Sequence, residues 1–174
     1  MVRQTRLVLL LAWVLLAFTS CSGPTIDITK AVQVTDVTTG WYDAGVENGL
    51  NKLVPTIGFR LKNVIALPLR NVQLNAVFRR VGEPEEWGSS FTRIASDDGL
   101  PPGATTDPMV LRSSLGYTST DPRSQMLRHS EFKDAHVRVF AKQGSAQWAP
   151  LGEWNIQRAL IIPSYKPEPA PPKS

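Results

Sequence analysis

Residues 58–83 read GFRLKNVIALPLRNVQLNAVFRRVGE, and the period of their apolar positions decides the fold class. Phe59 and Leu61, with Ile57 just ahead of them, alternate with Gly58, Arg60 and Lys62. Val72, Leu74, Ala76 and Phe78 alternate with Gln73, Asn75 and Val77. A strand points successive side chains to opposite faces, so a period of two describes a strand with one face on a core. Asn63 to Pro68 has turn composition. The two runs therefore predict neighbouring antiparallel strands, each half-buried.

The same pattern extends outward. Gly82-Glu83-Pro84-Glu85 has turn chemistry, and Trp87 to Ile94 predicts a strand. Asp97-Asp98-Gly99 and Pro101-Pro102-Gly103 punctuate a long loop. Thr106 to Arg112 predicts an edge strand, because Pro108 cannot donate to a ladder. Val137 and Val139 alternate with His136, Arg138 and Lys142. A final pair is predicted over Gln147 to Leu151 and Glu153 to Ile161, with a bend or bulge at Gly152. Near the front, Val32 and Val34 share a phase that Val37 breaks, which predicts a bulge. Asp121 to Glu131 is the one helical candidate, with Asp121 as cap and Pro122 at the first helical position. About seven strands and one short helix predict an all-β fold: a single antiparallel immunoglobulin-like β-sandwich over residues 26–162.

Residues 58–83, followed by LPPGATTDP at 100–108, resemble the bacterial FxLyD type of immunoglobulin-like envelope domain. Asn63, Pro68, Asn71, Val72, Leu100, Pro102 and Gly103 occupy the family's recurring places. The resemblance implies a sandwich fold in the cell envelope and no particular activity.

The ends of the chain carry different signals. Arg3 and Arg6 precede an apolar run from Leu7 to Phe18, then Thr19 and Ser20, which is the order of a secretory signal peptide. About a dozen apolar residues fall short of the roughly 20 needed to cross a bilayer. Residues 16–21, LAFTSC, resemble the bacterial lipobox, which implies cleavage before Cys21 and diacylglycerol on its sulfur. Cys21 is the only cysteine in the chain, so no internal disulfide forms. By resemblance to lipoprotein sorting in enteric bacteria, Ser22 favours the outer membrane over the inner one. The reading is thus a signal at 1–20, a lipidated tether at 21–25, and an anchor of two or three acyl chains. Pro163, Pro167, Pro169, Pro171 and Pro172 predict an extended, disordered tail over 163–174.

Charge argues against nucleic acid. The formal net charge is +4, but removing Arg3 and Arg6 leaves 17 Lys+Arg against 15 Asp+Glu. Arg79-Arg80 is the only short basic cluster noted, and nucleic-acid binders carry a broad basic face.

Catalytic patterns are missing. Nucleophilic catalysis needs a serine or cysteine beside an oriented base; Ser89-Ser90 and Ser113-Ser114 have no elbow motif, and Cys21 is assigned to lipid. The only histidines, His129 and His136, read as solvated. No paired Cys/His spacing suggests zinc. Asp97-Asp98-Gly99 reads as a turn, and Glu83, Glu85 and Glu86 as a solvated hairpin tip. No enzyme, cofactor or metal is expected.

One stretch stands out as a candidate site. Trp41 to Gly49 (WYDAGVENG) reads as a long loop with two aromatics among flexible polar residues, and binding residues concentrate on such loops. Tyr117 lies in a second polar stretch, Arg112 to Thr120. Trp41, Tyr42 and Tyr117 are therefore the candidate binding residues, with closure of one end of the core as the alternative role for Trp41. Trp87, Trp148 and Trp154 read as core or inter-sheet residues. The leading expectation is a membrane-anchored, non-enzymatic interaction or assembly module with an envelope protein partner. The alternative is a lipoprotein that binds a glycan or small ligand.

Overall fold

The two alternating runs become the inner strands of two different sheets. A computed structural model describes residues 26–94 and 98–161. The signal segment, Cys21 with its tether, and the proline-rich tail lie outside the described residues. In chain order the elements are α1 (Ile28–Ala31), β1 (Val32–Glu47), β2 (Leu50–Asn63), β3 (Val72–Arg80), β4 (Gly88–Arg93), β5 (Met109–Arg112), β6 (Tyr117–Ser119), α2 (Arg123–Met126), β7 (Ala135–Gln143), β8 (Ala149–Asn155) and β9 (Leu160–Ile161). The first sheet runs β5-β2-β1-β9, with β6 also paired to β2; the second runs β4-β3-β7-β8. Every pairing is antiparallel except β1 with β9. The fold is an all-β sandwich of two sheets.

The two runs are not neighbours in one sheet, as their sequence suggested. β2 and β3 face each other across the core, and residues 64–71 carry the chain between sheets. Alternation reports only that one face is buried, and both arrangements bury one face. What directs the crossing is Asn63, which is fully buried. Its Nδ2 donates to the carbonyls of Leu67 (2.8 Å) and Leu100 (2.9 Å), and its Oδ1 accepts from the Ile65 N–H (3.1 Å). The Gly103 N–H donates to the Asn63 carbonyl, and Leu69 and Leu100 exchange two backbone bonds. Three positions singled out by their resemblance to the envelope family thus act together as a brace between loops.

The inward residues are the expected ones. Ile57, Phe59 and Leu61 on β2 meet Val72, Leu74, Ala76 and Phe78 on β3 and Val137, Val139 and Ala141 on β7. The bulge expected near Val37 lies between Thr35 and Thr38, where Asp36 has a φ of +53°. β5 begins just after Pro108 and sits at an edge.

Four expectations are corrected. Nine strands are described, two of them only two or three residues long. The helix near residue 121 is a single turn at Arg123–Met126; its N-cap is Pro122, which has no side chain to offer, and Asp121 does not cap it. A second turn of helix, α1, was not foreseen; Asp27 caps it by accepting from the Thr29 N–H. Residues 149–155 form one strand through Gly152, and the irregularity falls on Leu151, because Val139 pairs with Gly152 and Phe140 with Pro150.

Candidate functional site

Residues 41–47 are strand, not loop. They form the end of β1, and Asn48 and Gly49, with φ of +51° and +81°, close a tight hairpin onto β2. Positive φ at both turn positions is the geometry that Asn-Gly favours in two-residue hairpins. Strand alternation then separates the two aromatics. Trp41 points inward and is 0% exposed, so it presents no surface to a ligand in this conformation. Tyr42 points outward and is half-buried, with the Arg112 guanidinium 3.6 Å from its ring centre.

Tyr117 joins Trp41 rather than Tyr42. Trp41, Trp87, Tyr117 and Phe132 form one cluster, with ring centres 4.7 to 6.1 Å apart. The cluster closes this end of the sandwich. Arg80 stacks on the outside of Trp87, and Arg158 on Phe132. Trp41 Nε1 is buried and meets no acceptor among the described residues. The glycine ahead of Tyr117 makes the close packing possible, since a Cβ on Gly116 would run into the carbonyl oxygen of Leu53.

Beside this cluster is a cleft of about 230 Å³. Tyr117, Met126 and Phe132 supply its apolar lining, and Ser119, Asp121 and His129 its polar lining. The Tyr117 hydroxyl is used by the backbone: it donates to the Lys133 carbonyl and accepts from the Lys133 N–H, each at 3.3 Å. Val46 and Leu115 are exposed nearby. The register places Val46 opposite Asn51, and Asn51 opposite Ser119. Sequence reasoning missed this cleft, since its lining comes from residues 117–132, which had read as a short helix with flanking polar loops.

Charge at this end is ordered by ion pairs. Asp43 binds Arg123, and Glu83 binds both Arg80 (2.6 Å) and Lys133 (2.8 Å). Partial burial raises the Asp43 carboxyl, but the hydrogen bonds from Arg123 and the Gly45 N–H outweigh it and hold its pKa below 3.8. The Lys133 hydrogen bond holds Glu83 below its ordinary 4.5 against a smaller opposing effect of burial, with the Arg80 charge adding to the shift. Glu83 is therefore part of a network rather than a free hairpin charge.

With this geometry in hand, comparison with known proteins adds little. No protein-family model matches the chain, and no curated protein matches it. Among solved structures, the structural-genomics target SoR45 aligns at 9% identity with a TM-score of 0.42, covering 81% of this chain and 95% of its own. A Bordetella pertussis protein assigned as ApaA aligns at 14% identity with a TM-score of 0.40, covering 73% of this chain and 93% of its own.

The remaining sequence candidates are dispersed. His136 is on the outer face of the second sheet, 3.6 Å from Glu153, while His129 is at the cleft. Among the described residues no group of three or more His, Cys, Asp or Glu side chains could hold a metal ion. Also among them, no helix is long and apolar enough to cross a membrane. Trp87 and Trp154 pack partly buried against the core. Trp148, expected in the core, is instead 39% exposed, because it precedes β8 on the outer face of the second sheet. There its ring meets Phe91 edge-on at 6.3 Å, and Lys142 lies 4.9 Å from its centre.

Proposed function

We propose that this chain is an exported envelope lipoprotein, cleaved before Cys21 and acylated there. Its single immunoglobulin-like domain acts as a non-enzymatic accessory module that docks a protein partner. Support for the finer fold comes from topology. The order β1-β2-β5 in one sheet and β4-β3-β7-β8 in the other follows the A-B-E and C′-C-F-G order of immunoglobulin sandwiches. The resemblance of residues 58–83 and 100–108 to the FxLyD envelope domain agrees with that reading. The signal features at residues 1–21 favour export and lipid anchoring, and Ser22 favours the outer membrane.

The observation that carries the docking reading is the cleft at the Trp41 end. Its volume of about 230 Å³ is below the roughly 300–1,000 Å³ usual for small-molecule sites. It suits one inserted side chain, and exposed Val46 and Leu115 beside it would lengthen the contact. Interface energy concentrates where one anchor residue fills such a pocket. The glycan or small-ligand reading has less support, since Trp41 is buried, Tyr42 is stacked under Arg112, and only Tyr117 reaches the cleft.

Crosslinking in cells followed by mass spectrometry tests the proposal. The expected result is one stoichiometric envelope partner, lost when Ser119→Trp fills the cleft and when Cys21→Ser releases the protein. Full recovery of the same partner with Ser119→Trp would move the contact elsewhere. Recovery of no protein partner would reject the docking reading.

A further inference from the structure

The sandwich has two unlike ends, and the register says which residues belong to each. Val32 pairs with Asn63, Val72 with Gln143, Gln73 with both Arg93 and Lys142, and Ala141 with Ala149. Those residues, with α1 packed against β7 and β8, make up the end where the described chain begins. Trp41, Tyr117 and the cleft make up the other.

The Val32 end is both apolar and cationic. Val64 and Leu67 are exposed in the loop that crosses between the sheets there, and Phe91 and Trp148 are exposed on the outer face of the second sheet where it approaches this end. The cations toward this end are Lys30, Lys62, Arg70, Arg93 and Lys142, with Lys62 on the outer face of the first sheet. Two of these cations sit on the exposed rings: Lys142 is 4.9 Å from the Trp148 ring centre and Arg93 is 5.7 Å from that of Phe91. The acids at or near this end, among the described residues, are Asp27, Asp36, Asp98 and Asp107, and Asp36 is paired with Arg60. Asp27 is already bonded to Thr29 and Lys30, Asp98 is exposed, and Asp107 lies at the margin, beyond the bridge of Lys62 with Thr105. At the other end acids and cations are paired, Asp43 with Arg123, Glu83 with Arg80 and Lys133, and Asp134 with Arg158.

We infer that the Val32 end is a membrane-docking surface whose ligand is a leaflet of anionic lipid. Indole and phenyl rings partition to the boundary between headgroups and acyl chains. Lysine and arginine beside them reach headgroup phosphates with their heads and cover apolar surface with their stems. The perpendicular packing of Phe91 and Trp148, with an interplanar angle of 85°, makes a wedge rather than the flat floor on which a glycan would lie. A two-fold contact between copies would set Arg93 and Lys142 against like charges.

Chain length adds an independent argument, which rests on the reading of Cys21 as the acylated residue. Four residues lie between Cys21 and Ile26, and the five steps of chain span at most roughly 17 Å. An acylated Cys21 therefore keeps this end, and not the cleft, beside the headgroups. Docking would then fix the orientation of the domain and leave the cleft facing away from the membrane.

The test uses the mature chain from residue 21 with Cys21→Ser, which keeps every described element and lacks acyl chains. It is sedimented with vesicles of phosphatidylcholine alone or with phosphatidylglycerol added. The expected result is binding to the mixed vesicles only, weakened by salt. The pair Arg93→Glu and Lys142→Glu lowers that binding about tenfold or more with an unchanged melting temperature. Arg128→Glu, at the cleft end, leaves binding unchanged. Equal binding to both vesicle types, or none, overturns the inference, as does full binding by the charge-reversed pair. An acidic protein or polyanionic glycan bound in place of vesicles also overturns it. The intact mass of membrane-extracted protein separates this from the anchor reading. Vesicle binding by a chain found unacylated in cells keeps the surface and removes the anchor, and acylation without vesicle binding does the reverse.

Discussion

Trp41 shows how much a single residue's place in a strand decides. It and Tyr42 are adjacent in sequence, yet one is the floor of an aromatic cluster and the other an outer-face residue under Arg112. Trp41→Ala should cost about 3–5 kcal/mol, the usual range for truncating a buried aromatic, and chemical denaturation reads that loss. Trp41→Phe should cost far less, since the buried Nε1 has no acceptor among the described residues to lose. A small loss from Trp41→Ala would mean that the cluster does not close the core. Asn63 makes the opposite case. Its amide is fully used, so Asn63→Ala strands the Leu67 carbonyl and the Ile65 N–H and leaves the Leu100 carbonyl only its bond from Leu69, and should cost about 2 kcal/mol or more. Both residues were visible in the sequence. The direction of Trp41 was not, because its neighbourhood is polar and rich in Thr, Asp and Gly.

At the scale of elements, the alternating runs at residues 57–61 and 72–78 were legible as strands, and the breaks at Val37 and Pro108 fell where the pattern placed them. Which strand pairs with which was not legible, because period two records burial and not partners. The β1–β2 hairpin could have been found. Asn48-Gly49 is a strong hairpin signal, but the polar residues Thr38, Thr39, Asp43 and Glu47 hid the strand before it. Only glycine tolerates the Gly49 conformation without strain, so Gly49→Ala should destabilise the fold by about 1 kcal/mol. Thermal denaturation would detect it, and an unchanged melting temperature would mean that the turn is not held as described. Trp148 was misread for a related reason: a tryptophan in a β-rich chain reads as core unless the register is known.

At the scale of the whole molecule, the fold places the cleft at one end and the exposed Phe91 and Trp148 rings, with Arg93 and Lys142, toward the other. Sequence could not show this arrangement, which arises only when β4 and β7 flank β3 and Phe91 comes against Trp148 after the β7–β8 turn. The ion pairs at the cleft end give a pH prediction. Asp43 and Glu83 have folded pKa values below their ordinary 3.8 and 4.5. Depressed carboxylates stabilise the fold above the unfolded pKa, and that contribution is lost as pH falls through the folded value. Stability measured by denaturation should therefore fall as pH drops from about 4.5 downward. Asp43→Asn with Glu83→Gln should flatten that slope while lowering stability at neutral pH. An unchanged slope would mean that these pairs do not hold the cleft end.

In the orientation proposed above, the anchored sandwich turns its cleft end to a protein and its Val32 end to lipid. Photo-crosslinking in cells, with a light-activated residue placed at Leu115 in one strain and at Trp148 in another, tests it most directly. The expected result is one discrete protein adduct from position 115 and lipid without protein from position 148. A protein adduct from position 148, with none from 115, would contradict it.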